Sequence, residues 1–177
     1  GTVKSFGRNT NGGQLGLGNM TNQNIPTTIP DLLGVKQISA GGNHTVLLME
    51  DGTVKSFGRN HAGQLGLGNN NTKITPTTIP GLTGVKQIAA GGSHTVLLMD
   101  DGTVKSFGWN NAYGQLGLGN LTNQDTPTTI PDPTNTNVYL TDVSQVAAGD
   151  FHTVVLMNGG SIKTFGWNYY GQLGLGD

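Results

Sequence analysis

The sequence predicts an all-β protein built from repeated four-stranded units, and two observations support this prediction. First, a block of about 50 residues recurs along the chain, which is the usual sign of a repeat architecture. Second, each copy consists of short runs of apolar and β-branched residues separated by Gly-containing turns, and no segment has helical periodicity.

Two motifs mark each copy of the repeat. The first, GTVKSFG or its variant GSIKTFG, begins at Gly1, Gly52, Gly102 and Gly160. The second, GQLGLG, begins at Gly13, Gly63, Gly114 and Gly171. We therefore divide the single repeat segment, residues 1–177, into a leading half unit and three full units, with the bounds 1–19, 20–69, 70–120 and 121–177.

The composition of a unit and the turn within it predict its first three strands. In residues 84–108, GVKQIAA and HTVLLM are separated by a Gly-rich bend, and TVKSFG follows the turn Asp100-Asp101-Gly102. Asp-Gly between two such runs is a strong hairpin signal, because the turn needs a positive φ that Gly adopts at little cost. The equivalent turns at 50–52 and 158–160 predict the same hairpin in the other copies.

The fourth strand of each unit is the segment PTTIP. Its prolines, such as Pro76 and Pro80, have no N–H to donate, which places this strand at the edge of a sheet. Four antiparallel strands per unit, repeated radially, form a β-propeller. The third full unit carries an insertion around Asp132 to Leu140.

Composition excludes several functional classes. Cysteine is absent, so the chain has neither disulfides nor Cys-ligated metal sites. Nine basic against ten acidic residues give a net charge of −1, which disfavours a nucleic-acid partner. No apolar run approaches the roughly 20 residues of a membrane span. The Gly-rich loops lack the spacing of phosphate-binding motifs, so we predict no cofactor.

The stretch Ala89 to Asn120, AAGGSHTVLLMDDGTVKSFGWNNAYGQLGLGN, closely resembles the repeat of the regulator of chromosome condensation family. Phe57, Phe107 and Phe165 stand where that repeat usually has Trp. The resemblance implies seven-bladed propellers. Members of that family include a nucleotide exchange factor for a small nuclear GTPase, scaffold modules and inhibitors of β-lactamase. It therefore implies the architecture and leaves the partner open.

The three histidines at equivalent positions, His44, His94 and His152, allow two interpretations. They could form a ring of metal ligands, or each could be a hydrogen-bonded residue that ties one turn to its blade. We favour the structural role, because equivalent residues on separate blades are too far apart to share a metal. Ser93 precedes His94, but its equivalents are Asn43 and Phe151, which argues against a catalytic serine. We thus expect no catalytic and no metal site.

The positions at which the copies differ are the candidate partner-binding residues. Scaffold positions are almost copied between units, whereas the residue after Phe-Gly and the loop that follows it vary. These variable positions include Arg8, Arg59, His61, Trp109, Tyr113, Trp167, Tyr169 and Tyr170. Trp, Tyr and Arg are enriched in binding hot spots. The alternative is that each Trp covers the edge of a neighbouring blade.

These observations favour a non-enzymatic scaffold that displays loop residues to a protein partner. A structural repeat segment of a larger surface or assembly protein is the alternative. Guanine-nucleotide exchange is a third possibility, although no residue here matches the exchange site of the family.

Ring closure sets a further expectation. Seven blades of about 50 residues need about twice this length, so the rest of a longer chain or a second copy must complete the ring. We favour a fragment, because a head-to-tail junction of two copies would lack half a unit.

Overall fold

The computed structural model describes residues 2–176, which form fifteen β-strands and no helix. The strands are β1 Lys4–Gly7, β2 Gln23–Thr28, β3 Val35–Ala40, β4 His44–Met49, β5 Val54–Gly58, β6 Lys73–Thr78, β7 Val85–Ala90, β8 His94–Met99, β9 Val104–Gly108, β10 Gln124–Thr129, β11 Pro131–Asp132, β12 Asn135–Tyr139, β13 Val143–Ala148, β14 His152–Met157 and β15 Ile162–Gly166.

The strands form two complete antiparallel blades and parts of two others. β3-β4-β5-β6 and β7-β8-β9-β10 are four-stranded sheets, β13-β14-β15 is three-stranded, and β1-β2 is two-stranded. This confirms the predicted four-stranded antiparallel units. Each complete sheet takes its outermost strand from the start of the next sequence unit. The insertion in the third unit forms a separate hairpin, β11-β12.

The predicted Asp-Gly hairpins join the second and third strands of each blade. Gly52, Gly102 and Gly160 have φ values of 81°, 79° and 82°, as such turns require. In the first of them the Asp51 carboxylate accepts hydrogen bonds from the Thr53 N–H at 2.9 Å and from its hydroxyl at 2.7 Å. These bonds to the ionised form lower the pKa of Asp51.

The proline-containing strands lie at the sheet edges, as predicted. Pro76 lies within β6, which pairs only with β5, and the register of that pairing is irregular between Ser56 and Gly58. Pro80 lies just beyond the end of this strand. An edge strand can accommodate these residues because its outer side forms no ladder.

The hydrophobic core lies between successive sheets. Val46 and Leu48 of the first complete blade pack with Ile88, Leu97 and Phe107 of the next in one buried cluster. At positions that no neighbouring sheet of residues 2–176 covers, equivalent residues are exposed. Phe6 is 64% exposed, whereas its equivalents Phe57 and Phe107 are fully buried.

A side-chain amide joins the innermost strands of neighbouring blades. Gln87 on β7 donates from Nε2 to the Val146 carbonyl oxygen on β13 at 3.0 Å, and its Oε1 accepts the Val146 N–H at 3.0 Å. Gln37 makes the same pair of contacts with Ile88, both at 3.2 Å. The amide thereby bridges two strands that belong to different sheets, and between β3 and β7 the Ser39 hydroxyl also accepts the Ala90 N–H at 2.9 Å.

We expect Gln87→Ala to lower the free energy of unfolding by about 1–3 kcal/mol, because it leaves the buried Val146 N–H and C=O without partners. Urea unfolding followed by circular dichroism measures this. Gln145→Ala is the matched control, since Gln145 occupies the same position on β13 and is exposed, and its side chain forms no hydrogen bond with the described residues. Equal effects of the two substitutions would contradict the prediction.

Candidate functional site

The loops that follow the first and third strands of every blade emerge at the same end of the sheets. This follows from the antiparallel order, in which the β3–β4 and β5–β6 connections lie together. We call this end the loop face. Its segments are residues 8–22, 41–43, 59–72, 91–93, 109–123, 149–151 and 167–176.

Repeated buried polar residues hold the long loops of this face. Asn60 accepts the Leu65 N–H on Oδ1 at 2.9 Å and donates from Nδ2 to the Asn69 carbonyl oxygen at 2.7 Å. Ser56 donates to the Leu65 carbonyl oxygen at 2.7 Å. Asn110 and its neighbours form the equivalent bonds in the next blade. The side chains that vary between copies are therefore displayed from a rigid base.

Six aromatic side chains of the loop face form one connected group, which we call the aromatic cluster. Its members are Trp109, Tyr113, Phe151, Trp167, Tyr169 and Tyr170. They come from the long loops of two successive blades and from the short 149–151 loop between β13 and β14. The structure thus brings together all five aromatic residues that the sequence analysis selected.

Ring contacts run continuously through the aromatic cluster. Tyr113 lies 5.5 Å from Trp109 and 5.6 Å from Trp167 between ring centroids. Trp167 continues to Tyr170 at 5.3 Å, and Tyr169 and Tyr170 are 4.9 Å apart. These separations are those of favourable aromatic pairs. Tyr169 and Tyr170 are 77% and 78% exposed, while the two indoles are half-buried.

Phe151 is the member that sequence reasoning missed. Its ring lies 5.6 Å from both Trp109 and Trp167, so it links the two blades. The signal was present, because this position also varies between copies, as Asn43, Ser93 and Phe151.

The remaining candidates, Arg8, Arg59 and His61, lie elsewhere on the loop face. All three are exposed. Arg8 donates from Nε to the Thr10 hydroxyl at 3.4 Å, and His61 Nδ1 lies 3.3 Å from Gln64 Nε2. Within residues 2–176, no ring contact or hydrogen bond joins them to the aromatic cluster.

Two of the three repeated histidines, His44 and His94, link neighbouring blades. His44 Nε2 lies 3.0 Å from the Thr95 hydroxyl, which itself donates to the Gln64 carbonyl oxygen at 2.9 Å. Since that hydroxyl has one proton, its oxygen accepts from His44 Nε2–H. His94 repeats the arrangement with Thr153. The prediction that each histidine ties a turn to its own blade was wrong in this detail, because the bond crosses to the next sheet.

These two imidazoles are held neutral. Burial lowers the pKa of His44 to about 3 and that of His94 to about 4, and in each case the next histidine adds a smaller repulsion. Nδ1 of each ring is buried without a hydrogen-bond partner. A proton there would be a buried charge with nothing to pair it.

Clusters of metal-binding side chains and membrane-spanning helices are both absent from residues 2–176. No group of three or more His, Asp or Glu side chains is placed to hold a metal ion. No helix long and apolar enough to span a membrane was found within the same residues.

Comparison with known proteins places the chain in a family. Models described as the regulator of chromosome condensation (RCC1) repeat match residues 1–48, 51–98 and 101–156, and a second model of that description matches 35–64, 85–115 and 143–172. The ultraviolet-B receptor UVR8 of Arabidopsis thaliana is 35% identical over 180 residues, which cover 100% of this chain and 40% of the receptor.

Solved structures of other proteins support the same family assignment. Prp20p of Saccharomyces cerevisiae, studied for its binding to Gsp1p and histones, has a TM-score of 0.80 at 27% identity over 98% of this chain and 43% of its own. Human WBSCR16 has a TM-score of 0.77 at 26% identity over 93% and 42%. The chain spans about two fifths of the length of these relatives. It belongs to the regulator of chromosome condensation (RCC1) repeat family.

Proposed function

We propose that this propeller segment is a non-enzymatic scaffold whose aromatic cluster contacts a protein partner. The observation that carries the proposal is the concentration of both Trp and three of the four Tyr of the chain in one connected surface. These residues occupy the positions at which otherwise copied units differ. A segment that only spaces other domains gives no reason for such a concentration.

The energetics of interfaces support this role. Half-buried Trp and exposed Tyr offer large, rigid contact areas with a polar tip, which makes them frequent hot spots. The loops that carry these residues are anchored by Ser106 and Asn110 in one blade and by Thr164 and Asn168 in the next, which reduces the entropy lost on binding. The relatives named above include proteins that bind proteins, which supports the general class of function.

Guanine-nucleotide exchange is the second candidate, because the fold and sequence likeness to Prp20p extends over 98% of this chain. Release of a fluorescent guanine nucleotide from small GTPases tests it. Acceleration by this chain that survives loss of the aromatic cluster would favour exchange over the scaffold role.

We expect Trp109→Ala or Trp167→Ala to weaken partner binding by tenfold or more, the loss typical of a ~2 kcal/mol hot spot. Partners captured from lysate by the unmodified chain would be identified, and their affinity then measured by calorimetry. Tyr139→Ala is the matched control, because Tyr139 is an exposed aromatic residue, 61% accessible, on the insertion hairpin.

An unchanged affinity together with a loss of stability would show that the indoles contribute to packing and not to binding. If either Trp substitution lowers the melting temperature by about 5 °C or more while affinity is unchanged, the residue covers a blade edge and the proposal fails for that position.

A further inference from the structure

In addition to the aromatic cluster, the loop face contains a cleft between the loops of residues 10–12 and 59–61. The cleft has a volume of about 420 Å³. Arg59 and His61 line one wall, and Thr10, Asn11 and Asn70 are among the other lining residues. The two loops pack closely here, since a Cβ on Gly12 would lie 2.8 Å from the backbone nitrogen of Arg59. We call this feature the Arg59 cleft.

The charge of the Arg59 cleft is not balanced by the protein. The Arg59 guanidinium makes no hydrogen bond or ion pair with any of residues 2–176, and no acidic side chain lines the cleft. The acid on the nearest packed strand is Asp125, whose backbone lies against Gly63, and it forms no ion pair with Arg59 or His61. Burial and the Arg59 charge lower the pKa of His61, as expected for an imidazole beside an uncompensated cation.

The tautomer of His61 adds a donor to this surface. The Gln64 amide accepts the Ala62 N–H on Oε1 at 3.0 Å, which turns its NH₂ towards His61 Nδ1 at 3.3 Å. Nδ1 is therefore the acceptor, and the neutral ring carries its proton on Nε2. That N–H has no partner among the described residues, so it remains available to an incoming acceptor.

We propose that the Arg59 cleft binds a carboxylate-bearing segment of a protein partner. The Arg59 guanidinium and His61 Nε2–H receive the carboxylate, and an apolar residue of the same segment contacts the aromatic cluster. This inference rests on the proposed scaffold function and specifies the chemistry of the partner.

Charge distribution favours an acidic partner over a basic one. The turns at the opposite end of the sheets carry Glu50, Asp51, Asp100 and Asp101, whereas the described loop face carries two basic residues, Arg8 and Arg59, and one acidic residue, Asp150. A basic segment would be attracted to the far end and repelled from the cleft. Guanidinium groups bind carboxylates in a planar, two-pronged geometry, which gives orientation as well as attraction.

The test uses the whole chain and three fluorescein-labelled peptides, Glu-Glu-Trp-Glu-Glu, Gln-Gln-Trp-Gln-Gln and Lys-Lys-Trp-Lys-Lys. Fluorescence polarisation measures their dissociation constants at low and at high salt. We expect the acidic peptide to bind about tenfold more tightly than the neutral one at low salt, with the difference shrinking at high salt. Arg59→Gln should weaken the acidic peptide about fivefold and leave the neutral peptide unchanged.

Lys86→Gln is the matched control, because it removes the same charge from an exposed residue on β7 that forms no ion pair. His61→Gln provides a second variant, with an expected twofold to threefold loss for the acidic peptide alone, as for one neutral hydrogen bond.

Three outcomes would overturn the inference. They are equal binding of acidic and neutral peptides, equal effects of Arg59→Gln and Lys86→Gln, and tighter binding of an oligothymidylate than of the acidic peptide. If the neutral peptide still binds and Trp109→Ala abolishes that binding, the scaffold function stands and only the acidic preference fails. If no peptide binds and partner capture is insensitive to Trp109→Ala, the scaffold function fails as well.

Discussion

Acidification from pH about 7.5 to about 4.5 is expected to lower the free energy of unfolding by up to about 5 kcal/mol. The cause is the pair of buried, neutral imidazoles that link neighbouring blades, His44 and His94. The free energy of unfolding of a single domain is usually only about 5–15 kcal/mol. We therefore expect a loss of folded protein well above the pH at which carboxylates are protonated.

The direction of this pH dependence follows from the difference between the folded and the unfolded pKa of each imidazole. In the unfolded chain a histidine titrates near 6.5, whereas burial lowers the folded pKa to about 3 for His44 and about 4 for His94. Between these values the unfolded state binds more protons, so protons stabilise it. Stability is full above pH about 6.5 and falls by about 1.4 kcal/mol per pH unit for each histidine as the pH decreases.

Other titrating groups act in a different pH window. Asp51 and Asp101 have lowered pKa values because Thr53 and Thr103 donate hydrogen bonds to them. Their stabilisation is present above the ordinary value of 3.8 and is lost only as the pH falls below it. A decrease in the free energy of unfolding between pH about 6.5 and about 4.5 therefore arises from protonation of histidines.

Urea unfolding at pH steps across this interval measures the slope. His94→Gln retains an N–H donor towards Thr153 but cannot be protonated, so it should remove about half of the slope. His61→Gln changes an exposed histidine and should leave most of the slope in place. A slope unchanged by His94→Gln would show that the blade-linking histidines do not govern acid stability.

Gly66→Ala is expected to destabilise the protein by about 3–5 kcal/mol. Gly66 belongs to a GQLGLG loop and has a φ of +69°. A Cβ at this position would lie 2.7 Å from the Phe107 ring of the next blade. Phe107 is fully buried, so the ring cannot move aside without disturbing the core.

The chain contains a matched control for this substitution. Gly174 holds the same position in the last GQLGLG loop and has a φ of +68°, but a Cβ there meets nothing within 4 Å. Gly174→Ala therefore reports the backbone strain alone, about 1 kcal/mol. The difference between the two substitutions measures the packing of one blade on the next.

Calorimetry of both variants decides the question. At roughly 2–4 °C per kcal/mol for a chain of this size, Gly66→Ala should lower the melting temperature by about 10 °C and Gly174→Ala by only a few degrees. Comparable decreases would mean that conformational strain, and not contact with Phe107, accounts for the glycine.

Recognition of the family and the all-β, four-stranded organisation were both predictable from sequence and are confirmed. The candidate partner-binding residues were only partly accessible. The five aromatic positions could be found because they vary within an otherwise repeated motif, but Phe151 joins them through space from another loop. The binding role of all these residues, and the seven-bladed ring, remain predictions.

Sequence alone determined the features that depend on neighbouring residues. Asp-Gly requires a turn with positive φ, and the prolines exclude a central strand, whatever surrounds them. Only the tertiary structure decided how blades are joined. Gln87 binds Val146 across 59 positions and His44 binds Thr95 across 51, so neither pair leaves a local pattern. Such contacts arise from the way sheets pack, because a side chain's partner there is set by the distance between blades and not by its place along the chain.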